Sequence, residues 1–271
     1  MTDPIHRAPR HTVGSRGAAP AHVARPAWPT APSGTSPRQT LAHLLFDEMP
    51  HELTLGLRAA VLRALATPSI ARAAMRSGLP FPTLLDELST AVRILIAAGV
   101  ESSAGRAGLE VLRHRLAACR MRTDDARYVL ALVATVPVDL ADQLGHRRLT
   151  QLERAEHARY FVHLGNLLEI AAVPSDPETL QDLIDRHELT RTGPSRRGRA
   201  LARVLLAWSP EGSRRPRMLD KALLESLQPV SIRRALGRHA WLTSRWLVAL
   251  HRAVAPPRPA AVPPRSGASS A

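Results

Sequence analysis

Residues 120–188 read RMRTDDARYVLALVATVPVDLADQLGHRRLTQLERAEHARYFVHLGNLLEIAAVPSDPETLQDLIDRHE. Thr123, Asp124 and Asp125 form an N-cap cluster ahead of YVLALVATV, whose β-branched content could suit a strand. The flanking periodicity is helical throughout, so the segment is expected to be a buried helix, stopped by Pro137 because proline removes a backbone donor. Thr150 and Glu153 have capping-box spacing before a long helix reaching Leu168, and Ser175 with Glu178 repeats the device. Both starts are well specified.

The same period extends outward. Upstream, Leu53, Leu57, Val61, Leu62 and Leu65 recur at threes and fours. Thr83 opens a run through Leu84, Leu85, Leu88, Val92, Leu95 and Ile96 that ends at Gly99, and a further helix is expected from about Gly105 to Arg120. Downstream, helices are expected over 196–208, 218–227, 230–236 and 240–254, with Pro210, Pro216 and Pro229 between most of them. The expected fold class is all-α: one compact multi-helix bundle over residues 40–255, without the fixed period of a solenoid. Residues 1–39 and 256–271 are rich in Pro, Ala, Arg, Ser and Gly, and are expected to be disordered tails.

Composition bounds the function classes. With 271 residues, 45% hydrophobic and 22% charged, the chain is globular rather than collagenous or wholly disordered. A single cysteine, Cys119, forms no internal disulfide, which suits a reducing cytosol. The best apolar run, residues 128–140, is broken by Pro137 and Asp139 and falls short of the roughly 18 residues that span a bilayer. Residues 1–39 lack the continuous apolar core of a secretory signal. A cytoplasmic location is therefore expected.

Charge is unevenly spread. Residues 1–39 carry 5 basic and 1 acidic side chains, residues 40–190 carry 16 and 19, and residues 191–271 carry 16 and 3. Nearly all of the net +14 thus lies in the last third, where clustered arginines suit nucleic acid or an anionic membrane. Specific nucleic-acid binding is not expected, since helix-turn-helix and zinc-finger spacings are missing and aromatics are only 3%. Within 240–254, Leu242, Trp246 and Leu250 share a face with Arg245 and Arg252 elsewhere. That stripe is read as core packing, with an interfacial cationic helix as the alternative.

Asp124, Asp125 and Tyr128, then Gly145, Arg147, Leu149, Thr150 and Glu153, then Leu164, Gly165, Ile170 and Pro174 occur in an order that resembles the catalytic domain family of MpaB and the rubber oxygenases, which includes latex-clearing-protein-like members. The chain reads as a divergent member, with similar segments in order over roughly residues 45–240. The resemblance implies a globin-like helical arrangement around haem b, in an oxygenase that cleaves carbon-carbon double bonds of a small, hydrophobic, isoprenoid-like substrate.

Two positions depart from that pattern. Leu116 stands where similar proteins place the axial histidine, and His114 lies two residues earlier, about 200° around a helix. His114 is the candidate haem-iron ligand if the helix is locally shifted; otherwise it is a solvent-facing or hydrogen-bonded histidine. Cys119, one turn beyond Leu116, is the weaker candidate ligand, its alternative being inert packing. Thr90 matches a threonine near the family's oxygen-binding side, but Asp86 replaces the arginine four residues before it, and a hydroxyl-to-carbonyl bond within the helix is the plainer role. No nucleophile elbow, zinc-protease, Walker or dinucleotide motif offers other chemistry. The alternative function is a haem-free, non-catalytic binding protein of the same fold, touching anionic membrane through its basic C-terminal third.

Overall fold

Proline starts helices here more often than it ends them. Pro37, Pro50, Pro68, Pro82 and Pro177 each occupy one of the first two positions of a helix, where the missing N–H would have had no intrahelical partner. The computed structural model describes residues 36–174, 176–208, 217–238 and 244–254. They contain α1 (Pro37–Ala42), which continues into a π-helical segment (His43–Glu48), then α2 (Pro50–Ala64), α3 (Pro68–Met75), α4 (Phe81–Ala98), α5 (Ser103–Cys119) and α6 (Thr123–Leu144). There follow α7 (Gln151–Leu167), α8 (Pro177–Arg191), α9 (Arg196–Ala207), α10 (Arg217–Ser226), α11 (Val230–Ala235) and α12 (Ser244–Val254). The fold is all-α and compact, with no strand among the described residues.

The expected tails lie outside the described residues, except that 36–39 are structured. Ser36 caps α1 in a complete capping box with Gln39. Arg38 then donates to the Ile96 and Ala97 carbonyls at 3.1 and 2.8 Å, strapping α1 across the end of α4. Ser175 also lies outside the described residues; the cap of α8 is Asp176, whose carboxylate accepts from the Thr179 N–H at 2.8 Å. The acidic cluster before α6 does not cap it. Arg122 is the N-cap residue without a side-chain bond, and Asp124 and Asp125 fill the first turn, where carboxylates complement the helix dipole.

Pro137 does not stop α6, which runs on to Leu144. A proline at 137 leaves the Val133 carbonyl without its helical donor. His157, on α7, supplies one: its Nε2 lies 3.1 Å from that oxygen and must be the protonated nitrogen, because a carbonyl only accepts. The proline ring meets α2 at Gly56, where an added Cβ would run into Pro137 Cα. The missing donor and the missing side chain let α2 and α6 form the central pair of the bundle.

Around this pair, α1 and α7 pack on one side, α8 lies against α6, and α4 with α5 forms a hairpin whose helices approach closely at Gly108, over the Ala91 carbonyl. The interior is aliphatic: Leu53, Leu55, Leu62, Leu95, Ile96, Leu132 and Leu144 are all buried. α9 lies on α3, and α10 and α12 pack on each other near the start of α2 and on α6. No single described helix is long and apolar enough to cross a membrane; α2 and α3 reach that composition only as a pair, bent by 106°.

Candidate functional site

The residues singled out for haem chemistry do not converge on an interior cavity. His114 and Thr90 are both exposed, on α5 and α4. Cys119 is buried at the end of α5, and burial pushes its thiol up, with Arg76 and Arg115 pulling the other way, so it is held as thiol rather than the thiolate that iron requires. Leu116 is half-buried apolar packing. Asp86, in place of the arginine, accepts the Trp208 indole N–H at 2.9 Å and so ties α4 to the end of α9. These residues do not fit a porphyrin: the imidazole faces solvent, the thiol is protonated, and the polar group at 86 is engaged elsewhere. Among the described residues, no cluster of three or more His, Cys, Asp or Glu side chains could hold a metal ion.

The segment from Gly145 to Glu153 serves architecture. Arg147 reaches Glu48 at 2.6 and 2.7 Å and Glu153 at 2.6 and 2.8 Å, joining the end of the π-helical segment to the start of α7. Its bonds hold the Glu153 carboxyl down to about 2, with Thr150 helping and burial opposing. Thr150 and Glu153 complete the expected capping box, and the Leu149 N–H donates to Asp142 at 2.7 Å. Arg147, Leu149, Thr150 and Glu153, four of the residues that carry the resemblance, thus all have structural partners.

Two buried polar clusters were not anticipated. Tyr128 on α6 stacks on His187 of α8, with ring centroids 4.0 Å apart, and donates at 2.9 Å to Glu188, which also pairs with Arg63 of α2. Near the C-terminal helices, Arg58 and His51 of α2 lie 3.4 and 3.3 Å from Asp220 of α10. His51 also stacks at 5.5 Å on His251 of α12, which lies 3.5 Å from Glu52. Each cluster fastens a later helix to α2. Sequence separations of about 60 residues or more hide such pairs from periodicity.

The C-terminal helices expose both apolar and cationic groups. On α12, Leu247 (3% exposed) and His251 (0%) face the bundle, while Trp246 (75%) and Leu250 (51%) lie side by side outside. The expected core stripe is thus turned out at both described positions; Leu242 lies outside the described residues. On α10, which packs against α12, Met218 is 84% exposed, with Lys221 one turn further along the exposed side. Arg196, Arg197, Arg199 and Arg203 of α9 and Arg234 of α11 are also exposed. Few carboxylates are present to neutralise them. Of the three acids in residues 191–271, Asp220 is buried beside Arg58 and Glu225 lies 3.3 Å from Arg238; Glu211 lies outside the described residues.

No protein-family model, curated protein or solved structure matches the chain.

Proposed function

We propose that this protein is a haem-free, non-catalytic helical binding protein that docks peripherally on anionic membrane surfaces through its basic C-terminal third. The observation that carries the reading is the outward pairing of Trp246 and Leu250 on a helix whose other face is anchored in the bundle, in a region whose cations outnumber its acids 16 to 3. Tryptophan is favoured at the boundary between headgroups and acyl chains, where its ring is apolar and its N–H stays wet. Each cation near an anionic leaflet adds about 1 kcal/mol, so a few arginines with one inserted indole suffice for reversible binding. The sequence resemblance to haem oxygenases is then inheritance of shape: the axial position is Leu116, and His114 points away from the core.

Co-sedimentation of the full chain with vesicles tests this. Phosphatidylserine-containing vesicles should carry the protein down at low salt, phosphatidylcholine vesicles should not, and added salt should release it. The double variant Trp246→Ser, Leu250→Ser should stay in the supernatant while keeping its helical circular dichroism. Absence of sedimentation with anionic vesicles at low salt overturns the proposal. A Soret band in the purified protein would return it to the oxygenase reading.

A further inference from the structure

The exposed ring of His114 lines a depression of about 530 Å³, open to solvent, between the ends of α3 and α5. Its other lining residues are Arg76, Ala117, Ala118 and Arg120. Three side chains that can donate hydrogen bonds to an anion surround two methyl groups, and no carboxylate is among them.

The two arginines are differently held. Arg76 donates through Nε to the Cys119 carbonyl at 3.2 Å and through Nη2 to the Arg120 carbonyl at 3.0 Å, so its guanidinium is fixed against the last turn of α5. These bonds also satisfy carbonyls whose partial negative charge would repel an anion. Arg120 has φ 47° and ψ 50°, the left-handed conformation in which a helix usually ends on glycine. A long cationic side chain is held there at a backbone cost that glycine would avoid. Neither the Arg120 guanidinium nor His114 has a hydrogen-bond or ion-pair partner among the described residues.

We propose that this depression binds a phosphate monoester, its oxygens held by Arg76, Arg120 and His114 and its ester substituent lying on the Ala117 and Ala118 methyls. Guanidinium groups match phosphate geometry with paired hydrogen bonds, which a sulfonium or ammonium ligand could not use. The site is separate from the C-terminal face and stands independently of the membrane reading.

Isothermal titration of the full chain with phenyl phosphate should give saturable one-site binding. Arg120→Gly separates binding from folding: it should raise the melting temperature, because glycine accepts the left-handed backbone, yet weaken binding roughly tenfold or more through loss of a charge-assisted contact. His114→Ala should also weaken it, His114→Gln less so, and Arg148→Ala, at an exposed arginine between α6 and α7, should leave it unchanged. If the ester is a lipid headgroup, vesicles of phosphatidic acid will displace phenyl phosphate even from the Trp246→Ser, Leu250→Ser variant; if it is soluble, they will not. No saturable binding of phenyl phosphate or of phosphatidic acid vesicles, full affinity in both Arg120→Gly and His114→Ala, or equal loss in Arg148→Ala overturns the proposal. Should Arg120→Gly lower the melting temperature, His114→Ala, altered only at an exposed ring, decides alone.

Discussion

His157 shows how one side chain changes what another means. Read locally, Pro137 ends a helix; with His157 donating to the Val133 carbonyl, α6 continues for seven more residues. Burial pushes the His157 imidazole down to about 4, against the raising effect of that carbonyl, so it is neutral at pH 7. His157→Leu should cost about 1–3 kcal/mol by orphaning a buried carbonyl. In a Pro137→Ala background, where residue 137 regains an N–H, the cost should fall, and a double-mutant cycle by chemical denaturation measures the coupling. The pH dependence follows from the sign. The unfolded chain takes up a proton at His157 near pH 6.5 and the folded chain only near 4, so stability from this group is full above 6.5 and falls by about 3 kcal/mol as pH drops through that window. Replacing His157 by leucine should flatten that part of the stability profile. Gly56 is the counterpart on α2. Gly56→Ala should destabilise by about 2 kcal/mol despite its better helix propensity, because the new methyl meets the Pro137 backbone rather than a side chain that can turn aside. Neither role was legible in the sequence: the partners lie 24 and 81 residues away, and proline displays its cost locally but not its remedy.

At the level of elements, local chemistry was readable and facing was not. The Thr150 and Glu153 capping box, the stop at Gly99 and the spans of α5, α9 and α11 follow from residues within a turn or two of each boundary, and the structure places them accordingly. α12 is different. At about 100° per residue, Trp246 with Leu250 and Leu247 with His251 define two faces about a quarter-turn apart. Hydrophobicity alone puts the Trp and Leu pair inside, because a histidine is rarely fully buried. His51 and Glu52 on α2 reverse that choice by stacking on and facing His251, contacts that a scan along α12 never meets. Two neighbouring substitutions test the facing directly. Leu247→Ala should lower stability by about 2–3 kcal/mol, the cost of emptying a packed site, while Trp246→Ala should change thermal stability by less than about 0.5 kcal/mol. Equal effects would mean that α12 is rotated about its axis. The basic character of this region was legible from composition, whereas its apolar edge was legible as a stripe but read as core packing, with the interfacial helix only as the alternative.

For the molecule as a whole, the division of charge separates how it holds together from what it attracts. Arg147 with Glu48, Arg63 with Glu188 and Arg115 with Glu87 join different elements within residues 40–190, where acids slightly outnumber bases. The C-terminal third carries a net +13 and uses two of its acids internally, on Arg58 and Arg238. Raising salt from about 0.01 to 0.15 M shortens the screening length from roughly 30 to 8 Å, which barely touches pairs in contact but removes repulsion between cations spread over a surface. Two readouts of one titration should therefore move oppositely. The melting temperature should rise slightly as the arginines of α9 and α11 cease to repel one another, while the fraction bound to anionic vesicles should fall steeply. A melting temperature that falls in step with vesicle binding would show that the contact pairs dominate stability. It would also mean that the C-terminal cations are neutralised within the protein, leaving no charge for a lipid surface to engage.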